Sequence, residues 1–342
     1  MKNFDEQMMQ RCIQLAKNGL GTTYPNPLVG CVIVHNEKII AEGWHQKAGK
    51  PHAEVNAINQ IKDKEILKNS TLYVSLEPCA HHGKTPPCAD LIIQNQIPKV
   101  IVGTVDPFAK VNGLGIRKMK DAGIEVVSGI LQAECSDLNK RFFTFHQKKR
   151  PYVILKWAQT ADGFMATEKD EQKWITNEFS KQFVHKWRTE EQAILVGTKT
   201  AEIDNPQLIA RLWSGNQPIR LVLDKDLKLN ENLNLFDQSQ RTIVFTEKEK
   251  FNQENLEFVK IHFDENLPES ILFKLYELEI QSVIIEGGKR TLESFIEKDL
   301  WDEARIFTSE NRWNSGIQSP EFQGELIHSQ KIKSDKLEIF TR

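Results

Sequence analysis

The chain has 342 residues, more than one hydrophobic core usually supports, so two domains are expected. Hydrophobic residues make up 39% of the chain and charged residues 27%, a balance that excludes a largely disordered protein. The net charge of −2 argues against a nucleic-acid-binding surface over the whole chain. No apolar stretch approaches the roughly 20 residues of a membrane-spanning helix, and the amino terminus lacks the pattern of a secretion signal. We therefore expect a soluble, cytoplasmic protein.

The first half alternates helical and strand patterns. Apolar residues recur at helical spacing from Phe4 to Ala16, and an apolar run over 28–35 followed by Asn36-Glu37 predicts a hairpin. The further predicted elements are, in chain order, a helix over 52–61, a strand over 71–76, a helix over 88–95, a strand over 100–103, a helix over 115–121 and a strand over 124–127. This order predicts an α/β domain with helices on both faces of a mixed sheet.

A second α/β pattern begins near residue 150. We expect one long helix over 131–147, and the basic segment Lys148-Lys149-Arg150-Pro151 after it predicts a linker. Beyond the linker, strands are predicted over 152–157, 193–197, 219–223, 242–246 and 282–285, with helices over 177–188 and 290–298. The chain is therefore expected to fuse two different domains, residues 1–147 and 148–342.

The cysteines are few, odd in number and widely spaced, which argues against a disulfide framework and favours free thiols and a metal site. They are Cys12, Cys31, Cys79, Cys88 and Cys135.

Three candidate metal ligands lie in two motifs of the first half. His52-Ala53-Glu54 precedes a predicted strand, and Pro78-Cys79 with Cys88 follows it. One histidine and two cysteines leave one position of a tetrahedral zinc ion open, which is the arrangement of catalytic rather than structural zinc. Zinc lowers the pKa of a bound water to about 7, and Glu54 is placed to move its proton. His-x-Glu followed by Pro-Cys and a further cysteine is typical of zinc deaminases that act on nucleobases.

The same motifs predict local structure around the metal. We expect His52 and Cys79 each to open a helix, because backbone N–H groups and the helix dipole at such a start favour a thiolate and developing negative charge.

The spacing of the two cysteines departs from that of common deaminases. Eight residues, 80–87, separate them, and this insert carries His81, His82 and Lys84 but no acidic residue. Residues 43–53 likewise contain His45, Lys47, Lys50 and His52 and no acidic residue. Two cation-bearing loops beside one zinc site predict an anionic group on the substrate, and phosphate is favoured.

These motifs resemble the bifunctional deaminase–reductase family of riboflavin biosynthesis, as do the segments over 24–34 and 43–49. The resemblance implies a cytidine-deaminase-like α/β/α domain that deaminates 2,5-diamino-6-(5-phosphoribosylamino)pyrimidin-4-one with one zinc ion per chain. The residues to which it assigns roles are His52, Cys79 and Cys88 as zinc ligands, Glu54 as proton shuttle, Asn26 against the pyrimidine ring, and His45 and Lys84 against the phosphate.

The second half has no Gly-x-Gly-x-x-Gly motif, so a Rossmann crevice for a dinucleotide is not predicted. Instead, Glu286-Gly287-Gly288 lies between a predicted strand and a predicted helix, where glycines let backbone N–H groups approach a phosphate. Segments over 155–163, 173–176 and 204–208 fall, with this turn, in the order of the same family's reductase domain. That domain is similar to dihydrofolate reductase in fold and uses NADPH to reduce the ribosyl group to ribityl.

The resemblance assigns residue roles in the second half as well. It implies contacts with NADPH from Ala158, Trp174, Thr200, Asp204, Lys225 and Gly288. It implies contacts with the substrate from Gln172, Arg188, Leu208, Arg211 and Glu286, with the arginines on the phosphate. Gln172 and Lys225 stand where the family often has serine, and the polar segment over 311–342 lacks the strand that is familiar in the family.

Two alternatives remain open at this point. One makes the second domain a catalytically silent scaffold that only assembles oligomers. The other is a tRNA or nucleoside deaminase with an unrelated second domain, against which the cysteine insert and the net charge argue. The expected partners are a small-molecule phosphoribosylaminopyrimidine and further copies of the chain, as a homodimer or homotetramer, with no nucleic acid and no membrane.

Overall fold

The computed structural model of the protein describes residues 3–80, 86–106, 113–169 and 174–342. None of the helices in these ranges is long and apolar enough to cross a membrane. The chain divides into two compact units, Met1–Lys149 and Arg150–Arg342. The domain boundary expected from the sequence, after residue 147, lies two residues before this division.

The first unit is an α/β domain. Its helices are α1 (Phe4–Ala16), α2 (Ala53–Gln60), α3 (Cys88–Gln94), α4 (Leu114–Asp121), α5 (Gln132–Leu138) and α6 (Lys140–Lys148). Its strands are β1 (Gly30–His35), β2 (Lys38–Trp44), β3 (Thr71–Leu76), β4 (Lys99–Thr104) and β5 (Glu125–Ser128). Within the described residues these strands form one mixed sheet in the order β2-β1-β3-β4-β5, antiparallel on both sides of β1 and parallel from β3 to β5.

Local sequence accounts for the start of this domain. α1 begins at a capping box in which Asn3 and Glu6 satisfy each other's backbone N–H groups. The predicted hairpin between β1 and β2 is confirmed, and Asn36 and Glu37 have positive φ values of 48° and 58°. A two-residue turn with positive φ at both positions matches the twist of the flanking strands.

Helices pack on both faces of this sheet, as predicted. Met9 and Cys135, from α1 and α5, cover one face, while Ile58 and Met119, from α2 and α4, cover the other. Gly43 of β2 lets α2 approach closely, because a Cβ atom there would lie 2.4 Å from a backbone oxygen of that helix. This close packing fixes the first turn of α2 against the sheet.

The single helix expected over 131–147 is wrong. The chain forms two helices, α5 and α6, which meet at Asn139 with φ −105° and ψ 19°. The Asn139 side chain is buried and makes hydrogen bonds to the backbone of Leu28. This pairing is remote in sequence, so the helical periodicity on either side of the break gave no sign of it.

The second unit contains the remaining elements. Its helices are α7 (Glu178–Glu190), α8 (Thr198–Asp204), α9 (Leu267–Glu277) and α10 (Lys289–Glu297). Its strands are β6 (Tyr152–Gln159), β7 (Phe164–Ala166), β8 (Ala193–Val196), β9 (Ile219–Leu223), β10 (Thr242–Thr246), β11 (Leu256–Lys260), β12 (Ser282–Ile285), β13 (Glu303–Thr308), β14 (Ile317–Gln318), β15 (Glu325–Ile332) and β16 (Asp335–Thr341).

In the described part of this unit, nine strands form one sheet in the order β11-β10-β9-β8-β12-β6-β13-β16-β15. The strands from β11 to β13 are parallel, and β16 and β15 continue the sheet antiparallel. β7 and β14 form a separate antiparallel pair. Because β9, β8, β12 and β6 are parallel neighbours, their carboxyl ends meet at one edge, where open α/β sheets bind ligands.

The polar carboxyl terminus folds as strand in spite of its composition. The interpretation of residues 311–342 as lacking a terminal strand is wrong, because β16 pairs with β13 and β15 pairs with β16. Seven of the eight residues of β15 are exposed. A strand with no buried face has no alternation of apolar and polar residues, and this is the signal from which a strand is predicted.

Candidate active sites

The three zinc ligands predicted from the sequence lie together in the first unit. Nδ1 of His52 lies 3.3 Å from Sγ of Cys88 and 3.7 Å from Sγ of Cys79. The ligand atoms of the three residues all lie within 4.8 Å of one another. One imidazole nitrogen and two thiolate sulfurs are donors that zinc prefers, and three ligands leave a fourth position open. The residues therefore fit a catalytic zinc ion.

Two of the ligands stand at helix starts, but not the pair that was expected. His52 is the N-cap of α2, and Cys88 is the first residue of α3. The prediction that Cys79 opens a helix is wrong, since Cys79 lies in the loop after β3 and α3 begins at Cys88. The pKa of the Cys79 thiol is lowered, mainly by its hydrogen bond with the Cys88 thiol and further by His52. A lowered pKa favours the thiolate, which is the form that binds metal.

Glu54 lies in the first turn of α2 beside these ligands and is buried. Burial raises the pKa of its carboxyl group, and the nearby His52 opposes that shift. Its Oε2 atom is buried and has no hydrogen-bond partner within the described residues. A buried carboxylate with an unengaged oxygen, next to an open metal position, can accept a proton and return it.

Asn26 and His45 lie at the same centre. The rings of His45 and His52 meet edge to face with their centroids 5.2 Å apart. Nδ1 of His45 lies 3.1 Å from the carbonyl oxygen of Pro51, which can only accept, so Nδ1 carries the proton. Nε2 then accepts from Nδ2 of Asn26 at 3.1 Å, which makes Oδ1 the Asn26 atom that can accept a hydrogen bond from a ligand. Burial lowers the pKa of His45, which favours the neutral ring.

In the second unit, the predicted reductase residues gather at the carboxyl ends of neighbouring parallel strands. In sheet order, Lys225 follows β9, Thr200 and Asp204 lie on α8 after β8, Glu286 and Gly288 follow β12, and Ala158 lies near the end of β6. The sheet topology thus brings together residues that are far apart in the sequence.

A buried ion-pair network lies at the centre of this edge. Arg188 of α7 donates from Nη2 to Glu286 at 2.9 Å, and Nζ of Lys156 lies 3.7 Å from the other carboxylate oxygen. Burial alone would raise the pKa of Glu286, but the charges of Arg188 and Lys156 outweigh it and hold that pKa below its ordinary value. Oε1 of Glu286 and Nε of Arg188 are buried without a hydrogen-bond partner among the described residues. Buried polar atoms of this kind can bind the polar groups of a ligand.

Sequence reasoning assigned no role to two residues of this network. Lys156 is a charged residue within an apolar strand, which is a signal that could have marked it, and burial lowers the pKa of its ammonium group. His185 lies one turn before Arg188 on α7, and burial, reinforced by Arg188 and Arg211, lowers its pKa to about 4. Nothing in the local pattern distinguishes His185 from an ordinary helix residue.

The glycine turn stands beside a second helix start. α8 and α10 follow the adjacent parallel strands β8 and β12, and their N-caps are Gly197 and Gly288. A glycine N-cap has no side chain with which to cap the first N–H groups of its helix. A Cβ atom at Gly288 would lie 3.3 Å from the hydroxyl of Thr200, so these two predicted cofactor residues are neighbours. Two helix starts whose N-caps carry no side chain suit phosphate groups, and the residues therefore fit NADPH.

Three other predicted residues have partners of their own. The side chain of Leu208 is 2% exposed and packs in the core, with φ 51°, so only its backbone can face a ligand. Lys225 forms an ion pair with Glu247 at 3.6 Å. Trp174 is 59% exposed, and Nζ of Lys181 lies 3.8 Å from the centre of its ring.

Of the remaining predicted residues, two are described by the structure and two are not. Ala158 is half-buried against the core, and Arg211 is exposed with Nη1 3.3 Å from the side-chain oxygen of Gln207. Lys84 and Gln172 lie outside the residues that the structure describes.

Both halves of the chain match known families. Residues 2–104 match the family model of the cytidine and deoxycytidylate deaminase zinc-binding region, and residues 151–309 match that of the RibD C-terminal domain. The chain is 41% identical to riboflavin biosynthesis protein RibD of Aquifex aeolicus, over 99% of this chain and 96% of the relative. It is 34% identical to riboflavin biosynthesis protein RibD of Escherichia coli, over 89% of this chain and 87% of the relative.

The fold is also that of a solved structure from Thermotoga maritima. That protein is described as a diaminohydroxyphosphoribosylaminopyrimidine deaminase/5-amino-6-(5-phosphoribosylamino)uracil reductase. It superposes with a TM-score of 0.91 at 38% identity, over 99% of this chain and 98% of that one.

The fold and the two sites define a zinc-dependent deaminase joined to a reductase. The chain belongs to the RibD family of riboflavin biosynthesis proteins. The predicted fold class is confirmed, with a cytidine-deaminase-like domain followed by the reductase domain of this family. Nothing in these comparisons supports the alternative of a catalytically silent second domain.

Proposed function

We propose that the chain catalyses two consecutive steps of riboflavin biosynthesis. The first is the hydrolytic deamination of 2,5-diamino-6-(5-phosphoribosylamino)pyrimidin-4-one, and the second is the NADPH-dependent reduction of the ribosyl group to ribityl. The observation that carries the proposal is the position of Glu54, buried with an unengaged oxygen beside three zinc-ligating side chains.

In the first unit, His52, Cys79 and Cys88 would hold zinc, which when bound supplies a Lewis acid that makes water nucleophilic at neutral pH. Glu54 takes one proton from the attacking water and passes it to the pyrimidine ring. It then takes the proton of the newly added hydroxyl group and passes it to the amino group, which leaves as ammonia. Its buried position raises the carboxyl pKa, which makes the protonated half of this cycle accessible.

Asn26 is the proposed contact with the pyrimidine ring. Its Oδ1 atom accepts a hydrogen bond from the substrate, because Nδ2 is already directed at His45. His45 is 2% exposed and both of its ring nitrogens have neighbours, which favours a role in orienting Asn26 over a direct contact with the phosphate. The phosphate contact that the resemblance implies for Lys84 stays a prediction.

In the second unit, NADPH supplies the hydride when bound. The helix starts at Gly197 and Gly288, with Thr200, would hold its phosphates. A hydride that adds to the sugar carbon must be accompanied by a proton, and the buried ammonium of Lys156 is an acid within the network around Glu286. The further contacts proposed with the cofactor are Ala158, Trp174, Asp204 and Lys225, and those with the substrate are Gln172, Arg188, Leu208, Arg211 and Glu286.

The proposed assembly is a homodimer or homotetramer. β15 is the outer strand of the second sheet, and Leu326 and Ile327 on it are 48% and 52% exposed. An unpaired strand edge with exposed apolar side chains pairs readily with another chain, and a second copy offers the same edge. Light scattering of the purified full chain is expected to show an oligomer, and a monomer would contradict the proposal.

We place the enzyme in the cytoplasm. None of its five cysteines is in a disulfide bond, as a reducing compartment favours.

Substitution of the proton shuttle tests the deaminase assignment. Glu54→Gln is expected to keep zinc and to lower deamination by about 10²–10⁴-fold, because an amide cannot carry the proton. Zinc content and ammonia release are measured, with the exposed Glu65→Gln as control. Reduction of supplied deaminated intermediate should stay at the wild-type rate. Near-normal ammonia release by Glu54→Gln would show that another residue moves the proton.

A further inference from the structure

We infer that Asn139 is a positioning residue of the deaminase site, which fixes the backbone of Leu28 and through it the substrate contact Asn26. The inference rests on the proposed function, in which Asn26 touches the pyrimidine. Oδ1 of Asn139 accepts from the N–H of Leu28 at 2.8 Å, and Nδ2 donates to the carbonyl oxygen of Leu28 at 2.9 Å. One amide side chain thus occupies both backbone groups of a residue 111 positions away.

The surroundings of this pair make it rigid. Asn139 is 2% exposed and Leu28 is 7% exposed, and Leu28 packs with Ala16 and Leu138 in an apolar cluster. Hydrogen bonds in such an environment are stronger than in water, and an unpaired group is costly. An amide is also the neutral side-chain group that donates and accepts as a peptide does.

The Asn139 side chain bonds to Leu28 instead of capping its own helix, α6. It stands at the N-cap position of α6, where an asparagine side chain usually accepts from the first N–H groups of its own helix. Here the side chain makes no such bond and is directed at Leu28 instead. The break between α5 and α6 and the pair with Leu28 are therefore one feature.

The position of Leu28 is transmitted to Asn26 over one residue. Pro27 separates them, and its ring fixes one backbone dihedral. On the other side, the N–H of Asn26 donates to the carbonyl oxygen of Thr23 at 2.8 Å, so the chain cannot absorb a shift there. Beyond the pair, the carbonyl oxygen of Val29 accepts from the N–H of His45 at 2.9 Å. Asn139 thus sets the register of the segment that carries Asn26 against the histidine that orients its amide.

A double-mutant cycle in the full-length, zinc-loaded chain tests this role. Asn139→Asp keeps the shape and the acceptor but puts an oxygen in place of the donor to Leu28. We expect it to lower the kcat/KM of deamination by about 10–100-fold, since a displacement of about 1 Å at a reacting site has such an effect. Zinc content and the rate of reduction of supplied deaminated intermediate should match the wild type. Asn69→Asp, on an exposed residue of the same unit, is the matched charge control and should change neither rate.

The decisive comparison is made in an Asn26→Ala background. If Asn139 acts through Asn26, Asn139→Asp should cost less than about twofold there, because the two effects are not independent. Losses that multiply would overturn the inference. Asn139→Ala is a second variant, measured in the wild-type and Asn26→Ala backgrounds with the same readouts. Loss of zinc or of reductase activity in both Asn139→Asp and Asn139→Ala would show a merely structural role and overturn the inference.

Failure of the inference is distinguishable from failure of the proposed function. A wild-type chain that releases no ammonia, or an Asn26→Ala chain with wild-type kcat/KM, would refute the proposed substrate contact and the inference with it. A loss in Asn26→Ala together with an undiminished effect of Asn139→Asp would refute the positioning role alone.

Discussion

The two arginines proposed for the substrate's phosphate are held differently in the reductase site. Arg188 is fixed between the Glu286 carboxylate and the carbonyl oxygen of Ile209, at 2.9 and 3.1 Å. Arg211 is exposed, and it donates a hydrogen bond to the neutral side chain of Gln207. Arg188 therefore serves the architecture of the site as well as the ligand, whereas Arg211 can be removed without leaving a buried charge unpaired.

Arg211→Ala accordingly isolates the phosphate contact. The KM for the deaminated intermediate should rise roughly 10–100-fold, since a hydrogen bond to a charged group contributes about 1.5–3 kcal/mol. The KM for NADPH should stay close to wild type, and so should both KM values in Lys260→Ala, an exposed control at the end of β11. Steady-state kinetics, with the intermediate and NADPH each varied in turn, would measure the two KM values. An equal rise in both would refute the assignment of Arg211 to the substrate's phosphate.

The sequence predicted those site residues that lie in short motifs typical of a known chemistry. His52, Glu54, Cys79 and Cys88 fall within two motifs, and the structure brings them together. Asn139 and His185 were missed because their significance lies in partners distant along the chain, such as Leu28 for Asn139. A side chain that pairs with remote backbone leaves no local pattern.

Among the helices, the start of α4 shows how an element is seated next to the metal site. Glu77 accepts from the N–H groups of Gly113, Gly115 and Ile116, at 2.9, 2.9 and 3.2 Å. Gly115 permits close contact, because a Cβ atom there would lie 2.0 Å from the carbonyl oxygen of Pro78. One buried carboxylate thus caps α4 and holds it against the segment that leads to a zinc ligand.

Removal of this carboxylate should destabilise the first unit. Glu77→Ala leaves several buried N–H groups without a partner, and we expect the free energy of unfolding to fall by roughly 3 kcal/mol. The exposed Glu65→Ala should change it by less than about 0.5 kcal/mol. Urea denaturation of the zinc-loaded chain measures both variants. A loss for Glu77→Ala as small as that of the control would mean that water replaces the carboxylate at no cost.

Three largely buried strands of the second sheet were predicted with their observed bounds. The strands expected over 219–223, 242–246 and 282–285 agree with β9, β10 and β12 residue for residue, because a strand covered on both faces is a short apolar run. β15 was missed because its exposed residues carry no such signal. The sequence predicted one helix in place of α5 and α6, because periodicity indicates a helical face but does not reveal a break that a remote contact makes.

At the scale of the whole molecule, the two units carry separate sites, and each serves as the internal control for variants of the other. A lesion at the zinc site should spare reduction, and a lesion at the Glu286 network should spare deamination. The division of the chain was accessible to sequence reasoning because a basic, proline-closed segment separates two complete α/β patterns. The exposed edge of β15 could not be predicted from the sequence, because such an edge is a property of the folded sheet.

The most direct test of the two-step activity is one incubation of the purified, zinc-loaded chain with 2,5-diamino-6-(5-phosphoribosylamino)pyrimidin-4-one, with and without NADPH. Ammonia, NADPH absorbance and product masses are followed together. Without NADPH, the substrate should lose its amine and stop at the deaminated product. With NADPH, that product should gain two hydrogens as one NADPH is consumed per molecule. Absence of ammonia release, or a deaminated product that accumulates while NADPH persists, would contradict the account.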